Sequence, residues 1–196
     1  MRETEVAAEI EYRMRRAGAS GPAFETIVAS GARAALPHAR ATVKRLAKNE
    51  LVVLDLGAIL RHYSSDLTRT VYLGRAPSRI RSWYAAVLEA QQAAREAIRP
   101  GVTAGEVDAA ARGVLRRAGL ARYFVHSTGH GLGLEVHEEP RLAHGRSEVL
   151  EAGMVVTVEP GIYVQGTGGI RIEDDVLVTG RSSETLTTAP RELLEI

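Results

Sequence analysis

The sequence predicts an α+β domain in which an antiparallel sheet is covered on one face by helices. Two observations predict it. A helix-like stretch followed by strand-like runs occurs twice, and the two occurrences are related in sequence. Glu5-Val6-x-Ala8, followed by Arg15-Arg16-Ala17-Gly18, recurs as Glu106-Val107-x-Ala109 and Arg116-Arg117-Ala118-Gly119 at a constant offset of 101. Further on, Val52-Val53-Leu54-Asp55-Leu56-Gly57 lines up with Val156-Thr157-Val158-Glu159-Pro160-Gly161 at an offset of 104, so a strand-borne acid matches a strand-borne acid. A duplicated half accounts for both matches, with one domain over 1–196 and halves of about 1–76 and 77–196.

Taken in order, residues 3–17 place Val6, Ala7, Ile10, Met14 and Ala17 at helical spacing, with Gly18 as a stop. Residues 24–31 read as a short strand, and Gly31–Arg40, which holds Pro37-His38, reads as a loop. Leu51–Gly57 and Asp66–Leu73 read as two antiparallel strands joined by a polar connection through Arg61–Ser65. Residues 78–98 form an Ala-rich helix ended by Pro100-Gly101, and a second helix spans about 104–118 and stops at Gly119. After a histidine-rich stretch and a loop at 140–152, Met154–Tyr163 and Gly169–Val178 read as two further strands. By the offset of 101, a counterpart of the 78–98 helix would lie before residue 1. The expectation is therefore a chain lacking the first helix of its fold, with apolar surface there for a partner or homodimer to cover.

Composition excludes several function classes. A net charge of +1 gives no electrostatic case for nucleic acid or an anionic membrane. No apolar run approaches the roughly 18 residues of a spanning helix, and the Glu-rich start is no signal peptide. Cysteine is absent, so disulfide and thiolate chemistry is excluded. The cytoplasm is the expected compartment.

The chemistry centres on His126–Glu139, where His126, His130 and His137 are interleaved with Gly129, Gly131 and Gly133. Imidazole is a common metal ligand and a general acid or base, and glycines let backbone and ligand approach a common centre. Asp55 and Asp66 lie on adjacent strands, and Glu159 and Glu173 on the matching pair in the second half. Asp55 and Glu159 sit in strongly apolar runs, where a charged residue stays only if paired or bound to a metal. Among Glu173, Asp174 and Asp175 the sequence leaves the choice open; alternation places Arg171, Glu173 and Asp175 on one face and Asp174 on the other. Four carboxylates and one imidazole form an oxygen-rich set suited to Mn²⁺, Co²⁺ or Fe²⁺, with Zn²⁺ also compatible. Two divalent ions would relieve the mutual repulsion of the four acids.

These residues make the chain recognisable. Asp55-Leu-Gly, Ser65-Asp66-Leu-Thr-Arg-Thr, His126-x3-His130-Gly-Leu-Gly-Leu-x-Val-His137-Glu, Val158-Glu159-Pro-Gly-Ile-Tyr and Arg171-Ile-Glu173-Asp-Asp resemble the motifs of the pita-bread metallopeptidase family. That family includes methionine aminopeptidases, Xaa-Pro aminopeptidases and prolidases. The resemblance implies the pita-bread fold, with Asp55 chelating one metal, His130 and Glu159 the other, and Asp66 and Glu173 bridging. It implies Glu159 as general base, His126 and His137 as substrate-side histidines, and His38 as a group near the leaving nitrogen. It also implies that Arg171 pairs with a ligand carboxylate, Asp66 or Asp55. His62 and His144 match nothing catalytic and are expected on the surface.

Within the family, the motifs around His137, Glu159 and Glu173 resemble the Xaa-Pro branch, although the N-terminal accessory domain of that branch is not expected here. The implied activity is two-metal hydrolysis of the Xaa-Pro bond of short peptides with proline in second position, as an Xaa-Pro aminopeptidase or dipeptidase. The alternatives are methionine aminopeptidase, or a non-catalytic binding descendant or inactive fragment of the fold.

Overall fold

A computed structural model describes residues 1–196. Its elements run α1 (Glu3–Arg16), β1 (Gly21–Pro22), β2 (Ile27–Ser30), β3 (Glu50–Leu56), β4 (Ala58–Leu60), β5 (Tyr63–Ser64), β6 (Leu67–Leu73), α2 (Ser78–Ala97) and α3 (Ala104–Arg117). Then come β7 (Gly129–Gly131), β8 (Glu138–Leu142), β9 (Val155–Val158), β10 (Gly161–Val164), β11 (Gly168–Arg171), β12 (Asp174–Val178), β13 (Ser183–Thr185) and β14 (Leu194–Glu195). The arrangement is α+β and almost wholly antiparallel, as expected; only β14 joins β6 in parallel. No helix is long and apolar enough to cross a membrane.

Helix boundaries follow local chemistry. Thr103 caps α3 by accepting from the Glu106 amide, while the Glu106 carboxylate takes the Thr103 amide, which satisfies donors that a helix start leaves open. Arg116 and Arg117 occupy its last turn, where cations suit the exposed carbonyls, and Gly119 follows at φ +71°. Along α2 the apolar residues Ile80, Tyr84, Val87, Ala90 and Ala94 recur at helical spacing and are all buried. They join Val107, Ala111, Val114 and Leu115 of α3 and strand residues such as Val156, Ile170 and Val176 in the main core. A smaller core under α1 holds Ala7, Val28, Val52 and Val71.

One sheet has the order β14-β6-β3-β2 and another β13-β12-β9-β7-β8. The long strands expected at 154–163 and 169–178 are each divided. Val155–Val158 and Asp174–Val178 belong to the five-stranded sheet, whereas Gly161–Val164 and Gly168–Arg171 form a separate hairpin. Pro160 has no amide to continue the first ladder. At the two breaks the chain finds other partners: the Glu159 amide donates to the Thr128 carbonyl, and the Glu173 amide donates to the Thr68 carbonyl. Both acids therefore stand at corners where a strand changes sheets. The loop expected at 31–40 also begins differently, as a short 3-10 turn over Gly31–Ala35.

Candidate metal centre

The carboxylates reach a common cavity from different elements. Asp55 is the second-last residue of β3, Asp66 immediately precedes β6, and Glu159 and Glu173 occupy the two strand corners. His130 is the middle residue of β7, which is squeezed between β9 and β8. A Cβ at Gly129 would fall on the Thr157 carbonyl and one at Gly131 on the Glu139 carbonyl, so this close approach requires glycine on both sides of His130. The cavity, about 260 Å³, is lined by Asp55, Asp66, His130, Glu159, Glu173 and Arg171, with His38, His126 and His137 nearer its mouth.

His130 is shaped as a metal ligand. Its Nδ1 lies 2.9 Å from the Gly131 carbonyl, which assigns the proton to Nδ1 and leaves the Nε2 lone pair facing the carboxylates. Nε2 is 3.6 Å from Glu159 Oε1 and 3.7 Å from Asp66 Oδ2, too far for a hydrogen bond. Burial lowers its pKa to about 4, so the ring is neutral at pH 7. Ligand atoms of Asp66, His130 and Glu173 all lie within 4.8 Å of one another.

The acids are under electrostatic pressure. Burial, then the charges of Asp55, Glu159 and Asp175, push Asp66 up to about 9. Burial pushes Glu159 up to about 8, and burial with the neighbouring Asp66 pushes Glu173 well above the carboxylate range. Asp55 Oδ1 and Asp66 Oδ1 are buried without a hydrogen-bond partner. Orphaned buried carboxylate oxygens beside a neutral imidazole call for cations. Against these four carboxylates stands one fully buried cation, Arg171. With all four ionised, three negative charges would remain, of which a single divalent ion would balance two. The donor set therefore fits a divalent-metal centre.

Arg171 pairs with Asp55, the second of the two partners expected for it, at 2.5 Å from Nη2 to Oδ2. Its Nε donates to Thr68 Oγ1 at 3.0 Å and its Nη1 to the Tyr163 hydroxyl at 2.7 Å. Tyr163 closes the Val158-Glu159-Pro-Gly-Ile-Tyr motif, which by itself assigns it no role. Its hydroxyl, held by Arg171, stands 2.8 Å from His126 Nε2. His126 Nδ1 lies 2.8 Å from the Ser127 carbonyl, so Nδ1 donates there and Nε2 accepts from Tyr163. Burial, then Arg171, lower His126 to about 3. Asp108 and Arg112 brace this stretch from α3: Asp108 accepts from the Thr128 hydroxyl, and Arg112 donates to the His126 carbonyl. His137 stacks edge-on against His130 with centroids 4.4 Å apart. His38 is exposed at the cavity wall, and His62 and His144 are exposed away from it.

The three adjacent acids have separate fates. Glu173 faces the cavity, Asp174 is enclosed by Arg69, Arg95 and Arg191, and Asp175 accepts from the Asp66 amide at 3.1 Å.

Comparison with known proteins places this geometry in context. The model of metallopeptidase family M24 matches residues 1–180. The chain is 52% identical to the Xaa-Pro dipeptidase of Pyrococcus furiosus, over 98% of this chain and 56% of that protein. It resembles the solved Xaa-Pro dipeptidase of Bacillus anthracis with a TM-score of 0.98 and 47% identity, over 100% of this chain and 55% of that one. The X-Pro aminopeptidase of Thermotoga maritima gives a TM-score of 0.97 and 44% identity, over 100% and 56% of the two chains. The chain thus spans about half the length of the curated relatives it matches.

Proposed function

The chain belongs to metallopeptidase family M24, and from that premise we propose that it carries a two-metal exopeptidase site hydrolysing the Xaa-Pro bond at the N-terminus of short peptides. The observation that carries the reading is the ring of Asp55, Asp66, His130, Glu159 and Glu173 around one cavity, with two of its carboxylate oxygens buried and unpartnered. Similarity to proteins named Xaa-Pro dipeptidase supports the proline specificity.

In this reading Asp55 would hold one ion, His130 and Glu159 the other, and Asp66 and Glu173 would serve both. Bound divalent ions supply positive charge that acidifies water and polarises a peptide carbonyl; Mn²⁺ and Co²⁺ suit the oxygen-rich set. Glu159, at the cavity wall, would accept the proton of the attacking water. The Tyr163 hydroxyl is fixed between Arg171 and His126, so it orients the imidazole that flanks the substrate carbonyl. His137 and His38, both exposed and lining the cavity, would serve on the substrate side, His38 in proton transfer to the leaving nitrogen. The rim also bears Arg40 and Arg141, cations that suit the α-carboxylate of a short peptide.

The test is release of the N-terminal residue from Xaa-Pro dipeptides, Xaa-Pro tripeptides and Met-Ala-Ser, with Mn²⁺ or Co²⁺ and with chelator. Metal-dependent cleavage only before proline is expected. Cleavage of Met-Ala-Ser alone would move the assignment to a methionine aminopeptidase.

A further inference from the structure

One fully buried hydroxyl stands between the site's only internal cation and one of its carboxylates. Thr68 is opposite Asp55 in the β3–β6 pairing, so its side chain shares the face that carries Asp55. It has no solvent exposure. Thr68 Oγ1 accepts from Arg171 Nε at 3.0 Å and donates to Glu173 Oε2 at 2.6 Å. Its carbonyl also takes the Glu173 amide at the strand corner. Thr68 therefore grips Glu173 through both main chain and side chain.

The direction of this relay is forced. Guanidinium Nε can only donate, so Thr68 Oγ1 must accept there, and its single hydrogen is committed to Glu173. The hydroxyl also acts as a spacer. Arg171 spends its other contacts on Asp55, Tyr163 and the Pro37 carbonyl. The Glu173 carboxylate, with no guanidinium directly against it, keeps its remaining lone pairs for the cavity it shares with Asp66 and His130.

We propose that Thr68 is a positioning residue that holds Glu173 in its bridging orientation and keeps Arg171 from pairing with it, so that the site can take a second divalent ion. This rests on the metal-centre reading above. Thr68→Val keeps the shape and the β-branched backbone preference of the strand but removes both bonds. Thr68→Ser keeps the hydroxyl.

The experiment titrates chelator-treated wild type, T68V and T68S with Mn²⁺ by calorimetry, and follows the coupled two-ion signature by electron paramagnetic resonance. T68V is expected to bind one ion near wild-type affinity and the second at least about tenfold more weakly, with the coupled signal lost. T68S should retain both. A merely structural role would lower the melting temperature without separating the two binding steps. Should T68V not fold, T68A serves as a second hydroxyl-free variant with the same expected split. Wild-type affinity for both ions in a folded hydroxyl-free variant overturns the inference alone, as does equal loss in T68S. No Mn²⁺ binding by the wild type overturns the metal-centre reading itself.

Discussion

Loading metal-free protein with divalent ions at pH 7 is expected to release about two protons per chain from Asp66 and Glu159, with any further release coming from Glu173. The magnitude comes from the buried acids. Burial and neighbouring charge hold Asp66 at about 9 and Glu159 at about 8, with Glu173 well above the usual range. At pH 7 Asp66 and Glu159 are each protonated to about nine-tenths or more in the metal-free chain, and Glu173 is shifted in the same direction. His130, at about 4, is already neutral and releases nothing. At pH 9 Glu159 is mostly ionised and Asp66 half so, and the release from these two should fall to about half a proton. Calorimetric titration with Mn²⁺ in buffers of different ionisation enthalpy measures the number directly. Release below one proton at pH 7, or release that grows between pH 7 and pH 9, would refute the protonated-cluster argument. The same shifts set the pH dependence of stability. Acids whose folded pKa is raised favour the metal-free fold below the ordinary carboxylate range, and that contribution is lost as pH rises through about 8 to 9. The melting temperature of metal-free protein should therefore fall across this range more steeply than that of loaded protein.

Other expectations are accessible to the same preparations. Tyr163→Phe removes the hydroxyl between Arg171 and His126; a lost charge-assisted bond of about 1.5–3 kcal/mol corresponds to a kcat on Xaa-Pro dipeptides reduced about 10- to 150-fold, with KM little changed. Leu115→Ala, at a fully buried α3 position, should cost about 2–5 kcal/mol in denaturant unfolding while leaving metal stoichiometry intact. Burial raises the Glu3 carboxyl, but bonds from Thr42 and Ser30 outweigh it and hold the pKa below its ordinary value. Its stabilisation is thus present above the ordinary carboxylate pKa and lost as pH falls through the folded value, and Glu3→Gln should flatten the acid limb of the stability profile.

Much of this architecture was legible because its signals are local. The three helices announce themselves by apolar spacing and by Gly18, Gly101 and Gly119, and the acids at 55 and 159 by their apolar flanks. Pro160 even marks one of the two strand corners. The other corner, at Ile172–Glu173, carries neither Pro nor Gly; it exists because the Glu173 amide turns to Thr68, a partner 105 positions away. Contacts made only in the folded chain hide the supporting cast as well. Tyr163 reads as one more aromatic in an apolar strand, and Thr68 as an ordinary strand threonine, until Arg171 joins them. Glu3 lies among acidic residues on a helix that looks solvated, yet its carboxylate holds Ser30, Arg33 and Thr42 and so ties both ends of the loop that carries His38. In the pita-bread fold that this chain shares with its relatives, such partners meet only after both sheets have formed.

The run Glu173-Asp174-Asp175 bears on how the strand finds its alignment. Three consecutive acids look interchangeable, but each is met by a different counterpart: the metal cavity, three arginines, and the Asp66 amide. A slip of β12 by one residue would invert its faces and bring either Asp174 or Ile172 to the place of Glu173 at the cavity. In one direction an aspartate, one methylene shorter, would stand where the glutamate reaches; in the other an isoleucine would, with no ligand atom at all. The three guanidinium groups around Asp174 thus act as a keying device, making one alignment of an otherwise ambiguous strand far cheaper than its neighbours before any ion arrives.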